Sequence, residues 1–155
     1  MIKVADVKRL IEETLAKVPP LNSEKAVTQM LYTAAVESSM GYSIYQNSGG
    51  PGVGLMQVEP FTAADNYYNF LRFNPILNKL ISDACGVEPP DTAPLSYNMA
   101  YNILMARIKY YRSSTPIPET IRGMAEWHES WYNTKRNGAD DVSAGIKKYL
   151  RIISS

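Results

Sequence analysis

The residues best suited to chemistry lie in residues 37–59. Glu37 ends a run of apolar side chains, a segment rich in Gly, Ser and Asn follows, and the run Gly-Leu-Met-Gln-Val leads to Glu59. A carboxyl group at the C-terminal end of an apolar helix lies near the negative end of the helix dipole, which favours its protonated form. Apolar surroundings act in the same direction. We therefore predict that Glu37 is a general acid held over a cleft that binds a polymer, and the alternative is that it is only a carboxylate at a helix end.

Helices are predicted to hold this stretch in place, because apolar residues recur at helical spacing along most of the chain. The predicted helices cover about residues 4–18, 23–41, 60–71, 76–81, 96–112, 118–131 and 141–153. Residues 42–58 contain too many turn formers for a regular element, so they are predicted to form a long loop or a small hairpin. The fold class is therefore all-α or nearly so, with about seven helices.

Length and composition limit the number of domains and the classes of partner and cofactor. The chain has 155 residues, which suits one domain with one core, and we assign residues 1–155 to a single domain. Its net charge of +1 argues against non-specific binding to nucleic acid, which needs a basic patch. Cys85 has no cysteine partner for a disulfide, and no Cys or His spacing indicates a metal, so no cofactor is predicted. His128, the only histidine, is predicted to pack at the surface or half buried.

The sequence carries no recognisable targeting segment. The N-terminal residues lack an apolar core followed by a small-residue cleavage site, and no apolar run is long enough to cross a bilayer. We expect the protein to be made in the cytoplasm without a signal peptide and to depend on another factor for export.

Four groups of residues, in order along the chain, resemble the signature of a known superfamily. They are Glu37-Ser38-Ser39, Ser48 with Gly54-Leu55-Met56-Gln57-Val58, Asn102-Ile103 with residues 107–111, and Trp131-Tyr132-Asn133 with Gly138. This pattern resembles the lysozyme-like superfamily that contains the soluble lytic transglycosylases and the goose-type lysozymes. Four ordered matches are more specific than Gly-Leu-Met-Gln alone. The resemblance covers residues 24–150, and residues 1–20 are predicted to add an N-terminal helix outside it.

The resemblance implies a reaction and gives roles to particular residues. Glu37 matches the catalytic acid that protonates the glycosidic oxygen between N-acetylmuramic acid and N-acetylglucosamine in peptidoglycan. Ser48, Met56 and Gln57 match positions that line the sugar sites, although Met56 is equally compatible with core packing. Tyr132 and Asn133 match a pair that faces the acid. The implied partner is the glycan strand of peptidoglycan, and we expect a monomer to bind it.

Glu59 leaves the reaction type open. An inverting hydrolase needs a second carboxylate to activate water across the sugar from the acid. A lytic transglycosylase needs none, because the C6 hydroxyl of muramic acid attacks and leaves a 1,6-anhydro end. Glu59 is a candidate for that second carboxylate, and the alternative is that it only favours the N-terminus of the following helix. Residues 42–53 contain no acid, so the loop aspartate of goose-type enzymes has no counterpart.

Two functions from different classes follow. The first is a peptidoglycan-cleaving muramidase. A short single-domain chain without a signal peptide resembles a bacteriophage endolysin, which degrades the cell wall and lyses the host once the membrane is permeabilised. The second is a non-catalytic peptidoglycan-binding or structural virion protein on the same fold. The presence of both Glu37 and Gln57 favours the first.

Overall fold

Helices dominate the computed structural model, which describes residues 1–46, 49–133 and 138–155. Those residues form seven α-helices and no β-strand, so the predicted all-α class is confirmed. The helices are α1 (Val4–Ala16), α2 (Glu24–Ser38), α3 (Pro60–Tyr68), α4 (Pro75–Cys85), α5 (Met99–Tyr111), α6 (Ile121–Trp127) and α7 (Gly138–Ile153). Between α2 and α3, two isolated β-bridges join Val53 to Tyr45 and to Val58.

Helix α5 lies at the centre of the core. Its residues from Tyr101 to Ile108 are all buried, and it packs against α1, α2, α3 and α4. A helix that is apolar on every side is stable only when neighbours cover all of it. Of these buried residues of α5, only Arg107 is charged, and its Nε donates a hydrogen bond to the Leu21 carbonyl at 2.9 Å. Burial lowers the pKa of Arg107 to about 10.

Helix α1 covers one side of this core, as the predicted N-terminal helix. It packs on α2 and α5 through Val7, Ile11 and Leu15, which have no exposed surface. The backbone N–H of Ile2 also donates to the Met40 carbonyl at 2.9 Å, so the start of the chain is tied to the end of α2. None of the helices in the described residues combines the length and the apolar character needed to span a membrane.

Helix α2 ends at Ser38, one residue after the predicted acid, Glu37. It is capped at its start by Ser23, whose Oγ accepts from the Ala26 N–H at 3.0 Å. It was predicted to reach Gly41, but it stops at Ser38 because Ser39, Met40 and Gly41 have φ values of 52°, 57° and 81°. The Met40 N–H closes the end by donating to the Ala34 carbonyl at 3.1 Å, as in a Schellman motif. Glu37 therefore stands in the last turn.

Side-chain caps correct two other predicted helix starts. Asn98 accepts from the Tyr101 N–H at 2.9 Å, so α5 starts at Met99 and not at residue 96. Thr120 accepts from the Gly123 N–H at 3.0 Å, so α6 starts at Ile121 and not at residue 118. A side-chain oxygen at the N-cap position satisfies a free N–H group of the first turn and so marks where the helix begins. Helix α7 begins at Gly138, three residues before the predicted start at residue 141.

Candidate functional site

One cleft brings together five of the seven predicted site residues. It is lined by residues from the ends of α2 and α3, from the segment before α3, from α5 and from the segment after α6. The lining residues are Glu37, Gln46, Gly52, Gln57, Val58, Glu59, Thr62, Lys109, Tyr132 and Asn133. Of the other two predicted residues, Met56 lies beneath the cleft and Ser48 lies outside the described residues.

Glu37 is nearly buried at the cleft floor, with 11% of its side chain exposed. Its Oε2 lies 2.9 Å from Nε2 of His128 and accepts a longer hydrogen bond, of 3.4 Å, from Nδ2 of Asn133. Both interactions end on the same oxygen, so neither occupies Oε1. The predicted meeting of Glu37 with Tyr132 and Asn133 is present, and a histidine joins them.

His128 was predicted to be a packing residue at the surface or half buried, and this prediction is wrong. The residue is 1% exposed, and its ring lies between Tyr32, with centroids 5.6 Å apart, and Tyr132, with centroids 5.5 Å apart. A signal was present in the sequence, because His128 precedes Tyr132 by four residues. Residues four apart share one face of a helix. A Tyr132 that faces the acid therefore implies that His128 does so too.

A π-helical turn, residues His128–Tyr132, carries this side of the cleft. The Asn133 N–H donates to the His128 carbonyl at 2.8 Å, five residues back, where a single α-helix running to Trp131 was predicted. Short π-helical insertions occur often at functional sites because they redirect side chains without ending the helix. Here the turn lets His128, Tyr132 and Asn133 all reach the side of Glu37.

Tyr132 links the π-helical turn to the segment before α3. It is 8% exposed, and its Oη donates to the Met56 carbonyl at 2.6 Å. Burial raises the pKa of Tyr132 well above 10, and the nearby charge of Glu37 raises it further, so the phenol stays a neutral donor. Lys109 holds the turn from the other side, because its Nζ donates to the Tyr132 carbonyl at 2.9 Å.

The turn at residues 54–57 is held by one buried amide. Asn102, 1% exposed, donates from Nδ2 to the carbonyls of Val53 and Leu95 at 2.9 and 3.0 Å, and its Oδ1 accepts from the Met56 N–H at 2.8 Å. Gly54 lies against this amide with a φ of +79°. Two separate parts of the predicted signature therefore contact each other directly.

Ser38 joins the same turn to the end of α2. Its hydroxyl oxygen lies 2.6 Å from the Leu55 carbonyl and accepts from the Gly41 N–H at 2.9 Å. Ser38 is 1% exposed, so both bonds are shielded from water. The Glu-Ser pair thus has a physical basis: Ser38 fixes the helix end on which Glu37 stands.

Gln57 and Met56 differ in how they meet their predicted roles. Gln57 lines the cleft as predicted, and its Nε2 donates to the carbonyls of Gly54 and Ile44 at 3.0 and 3.1 Å. Met56 has no exposed surface, so the predicted contact of its side chain with a sugar ring is not available in this structure. The core-packing alternative therefore applies to Met56, because its side chain belongs to the hydrophobic core. Only its carbonyl serves the cleft, as the acceptor of the hydrogen bond from Tyr132.

Glu59 faces the cleft that contains Glu37. It is half buried and precedes Pro60, the first residue of α3, and its side chain makes no capping hydrogen bond there. The Thr62 N–H instead bonds to the Glu59 carbonyl at 2.9 Å. Glu59 therefore lies both in the cleft with Glu37 and at the N-terminus of α3, where the helix dipole favours a carboxylate, so the structure is compatible with both interpretations of Glu59.

Comparisons of the chain with protein-family models, with curated proteins and with solved structures gave no match. The resemblance to the lysozyme-like superfamily therefore remains a prediction from the four groups of residues. Within the described residues, no group of three or more His, Cys, Asp or Glu side chains is arranged to hold a metal ion. The chemistry that this cleft offers comes from carboxyl, imidazole, phenol, amide and ammonium groups.

Proposed function

We propose that this protein cleaves the β-1,4 bond between N-acetylmuramic acid and N-acetylglucosamine in bacterial peptidoglycan, with Glu37 as the general acid. The observation that carries the proposal is a carboxyl group, 11% exposed, held through one oxygen at the floor of a polar cleft. Such a group can present its other oxygen to a substrate. A second carboxylate, Glu59, and the amides of Gln57 and Asn133 line the same cleft.

In the first step Glu37 gives a proton from Oε1 to the glycosidic oxygen as the bond to the muramic acid C1 breaks. Positive charge develops on the sugar ring, and the new Glu37 carboxylate and Glu59, which line the same cleft, stabilise it. Nε2 of Gln57 is bonded to backbone carbonyls, so its amide oxygen is the atom that can accept from a sugar hydroxyl or N-acetyl N–H group. The Asn133 amide oxygen can accept in the same way, since its Nδ2 donates to Glu37. The leaving sugar departs as a neutral alcohol.

The second step distinguishes two enzymes. In a hydrolase, Glu59 takes a proton from water, and the resulting hydroxide adds to C1 and gives a reducing end. In a lytic transglycosylase, the Glu37 carboxylate takes the proton of the C6 hydroxyl, whose oxygen closes the 1,6-anhydro ring. Transglycosylation returns the proton to Glu37 directly. Hydrolysis leaves Glu59 protonated and Glu37 ionised, and proton exchange with solvent restores both groups. The roles of Glu59 differ, which makes it the diagnostic residue.

The first experiment measures release of soluble fragments from purified peptidoglycan by the wild type and by Glu37→Gln. We expect the variant to lose about 10²- to 10⁴-fold in rate, because amide nitrogen cannot supply the proton. Glu12→Gln, on the exposed face of α1, is the matched control and should keep the wild-type rate. Equal rates for Glu37→Gln and the wild type would refute the proposal. Binding without release by either protein would instead support the non-catalytic alternative.

Mass spectrometry of the released muropeptides then identifies the reaction. Reducing ends together with a large loss of rate in Glu59→Gln support hydrolysis with Glu59 as base. Anhydro ends together with an active Glu59→Gln support transglycosylation. Reducing ends with an active Glu59→Gln would show that Glu59 is not the base.

The proposed setting is lysis of a bacterial host by a bacteriophage endolysin. In that setting the protein is made in the host cytoplasm and reaches the wall after the membrane is permeabilised. We expect cells that produce it to remain intact until a pore-forming protein is co-expressed, and then to lyse. Glu37→Gln produced under the same conditions should not lyse them.

A further inference from the structure

We propose that His128 is a positioning residue for Glu37, with its imidazole donating from Nε2–H to Oε2 of the carboxyl group. This inference rests on the proposed function, because it gives His128 a part in the same proton transfer. It assigns different tasks to the two carboxyl oxygens. Oε2 is held by the protein, and Oε1 is left to carry the proton to the substrate.

The geometry favours His128 over every other described donor to Glu37. Its Nε2 lies 2.9 Å from Oε2, whereas the second donor, Nδ2 of Asn133, is 3.4 Å away. Hydrogen bonds weaken at such longer distances. His128 is therefore the main contact that orients the carboxyl group.

The imidazole ring has little freedom to leave this position. It is 1% exposed, makes an edge contact with Tyr32 and stacks on Tyr132 with an interplanar angle of 23°. Tyr132 is itself fixed by its hydrogen bond to the Met56 carbonyl. A donor held by two packed rings is preorganised, which is what catalysis requires of a supporting group.

The contribution of this bond should grow during the reaction. Before proton transfer, Nε2–H donates to a neutral carboxyl group. After transfer it donates to a carboxylate, and charge-assisted hydrogen bonds are roughly twice as strong as neutral ones. An interaction that strengthens only as the proton leaves Oε1 raises kcat and has little effect on KM. His128 in this role touches neither the substrate nor the reacting oxygen.

The test compares His128→Gln with His128→Asn. The Gln amide nitrogen can take the place of imidazole Nε2, whereas the shorter Asn side chain places its nitrogen near Nδ1 and does not reach Oε2. Both variants are neutral and polar, and both lose the ring contacts with Tyr32 and Tyr132. Asn therefore controls for the loss of packing.

We expect kcat on purified peptidoglycan to fall by about 10- to 100-fold in His128→Asn, with KM changed by less than about threefold. His128→Gln should recover kcat to within a few-fold of the wild type. Thermal unfolding and circular dichroism must show that both variants are folded to a similar degree. Equal kcat values in two folded variants would overturn the proposal, because packing alone would then explain the role of His128.

A spectroscopic measurement tests the same contact without relying on activity. The chain has one histidine, so the imidazole signals in a ¹⁵N–¹H spectrum need no further assignment. We expect the Nε2–H tautomer in the wild type at pH 7, and a shift of that proton signal in Glu37→Ala. A proton on Nδ1 alone would overturn the proposal. If Glu37→Gln cleaves peptidoglycan as fast as the wild type, the proposed function fails, whereas this spectrum still reports on the His128–Glu37 contact.

Discussion

Nδ2 of Asn102 occupies the place where a side chain at position 54 would begin. A Cβ atom built on Gly54 would lie 2.3 Å from that nitrogen and 2.9 Å from the Leu95 carbonyl oxygen. The same nitrogen donates to the carbonyls of Val53 and Leu95, so it cannot move aside without leaving them unpaired. The position of the Asn102 amide therefore requires a residue without a Cβ atom at position 54.

Gly54→Ala should destabilise the protein strongly. The positive φ costs about 1–2 kcal/mol for any residue with a Cβ. The contact with Asn102 should add about 1–3 kcal/mol, because a packed neighbour must shift. Free energies of unfolding from urea titrations measure the sum.

Gly86→Ala is the matched control for this prediction. Gly86 has a similar φ of +75°, but a Cβ there would meet nothing within 4 Å. It should show the cost of the backbone conformation alone. Equal losses in the two variants would show that Asn102 can give way at no cost.

Asn102→Asp should disrupt the turn that shapes the cleft. The carboxylate still accepts from the Met56 N–H, but it cannot donate to the two carbonyls that Nδ2 now satisfies. Buried carbonyls facing a buried negative charge should cost about 2–4 kcal/mol of unfolding free energy. Asn98→Asp keeps its capping bond to the Tyr101 N–H and loses one partly buried bond, from Nδ2 to the Cys85 carbonyl, so it should lose less. Urea titrations of both variants at pH 7 provide the comparison.

Tyr132→Phe should affect both stability and activity. Removing the hydroxyl leaves the buried Met56 carbonyl without its donor, which costs about 1–3 kcal/mol. It also frees the turn that places Gln57 in the cleft, so we expect peptidoglycan release to fall by about 10- to 100-fold.

Tyr101→Phe separates these two effects. It removes a comparable bond, from the Tyr101 hydroxyl to the Asp91 carbonyl, but Tyr101 does not line the cleft. We expect a similar loss of stability and an unchanged rate on peptidoglycan. A rate loss of the same size in both variants would mean that activity follows stability and not the position of Tyr132.

Much of the fold was predictable because it depends on local sequence periodicity. The apolar faces of α1 and α4, the Ser23 cap and the Gly86 terminator all follow from residues close together in the chain. The predicted starts of α5 and α6 were wrong by three residues, because the capping side chains of Asn98 and Thr120 determine where each helix begins. The end of α2 was missed because two residues with a Cβ, Ser39 and Met40, adopt positive φ.

The candidate site was predictable only in part. The meeting of Glu37 with Tyr132 and Asn133 followed from ordered motifs. The π-helical turn did not, since it depends on tertiary contacts such as the bond from Tyr132 to Met56. The burial of His128 was missed, although its four-residue spacing from Tyr132 carried a signal. The inward direction of Met56 follows from the turn that Asn102 holds, and no periodicity exists over so short a segment.

Asp65 should make the stability of the protein depend on pH. Partial burial alone would raise the pKa of Asp65, but hydrogen bonds from Asn69 and Arg112 outweigh it and hold the pKa below the ordinary 3.8. A carboxyl whose pKa is lower in the folded state stabilises above its unfolded pKa, and loses that contribution as the pH falls through the folded value.

The comparison is between the wild type and Asp65→Asn. Because the Asp65 carboxylate is about one-third exposed, we expect the wild type to be more stable by only about 0.5–1 kcal/mol at pH 7. The difference should disappear in strong acid. Asp83→Asn, which removes an exposed pair with Lys79, should change little at either pH. A difference for Asp65 that persists in acid would point to lost packing and not to charge.

Gly145 in α7 lies against Tyr32, whose ring packs on His128. A Cβ at position 145 would be 2.4 Å from the Tyr32 hydroxyl oxygen but 3.5 Å from the ring carbon that bears it. In an open helix Gly→Ala gains up to about 1 kcal/mol. Here we expect Gly145→Ala to lose about 1–3 kcal/mol, because the hydroxyl is forced away.

The clash with Gly145→Ala should vanish when the hydroxyl is removed. We therefore expect the double variant Gly145→Ala with Tyr32→Phe to be more stable than the sum of the two single effects, with a coupling of about 1–3 kcal/mol. The four free energies of unfolding form a double-mutant cycle, in which any separate cost of Tyr32→Phe cancels. Additive effects would mean that α7 moves as a body and that the hydroxyl is not the obstacle. Since Tyr32 flanks His128, Gly145→Ala should also lower the rate on peptidoglycan, and Tyr32→Phe should restore most of it.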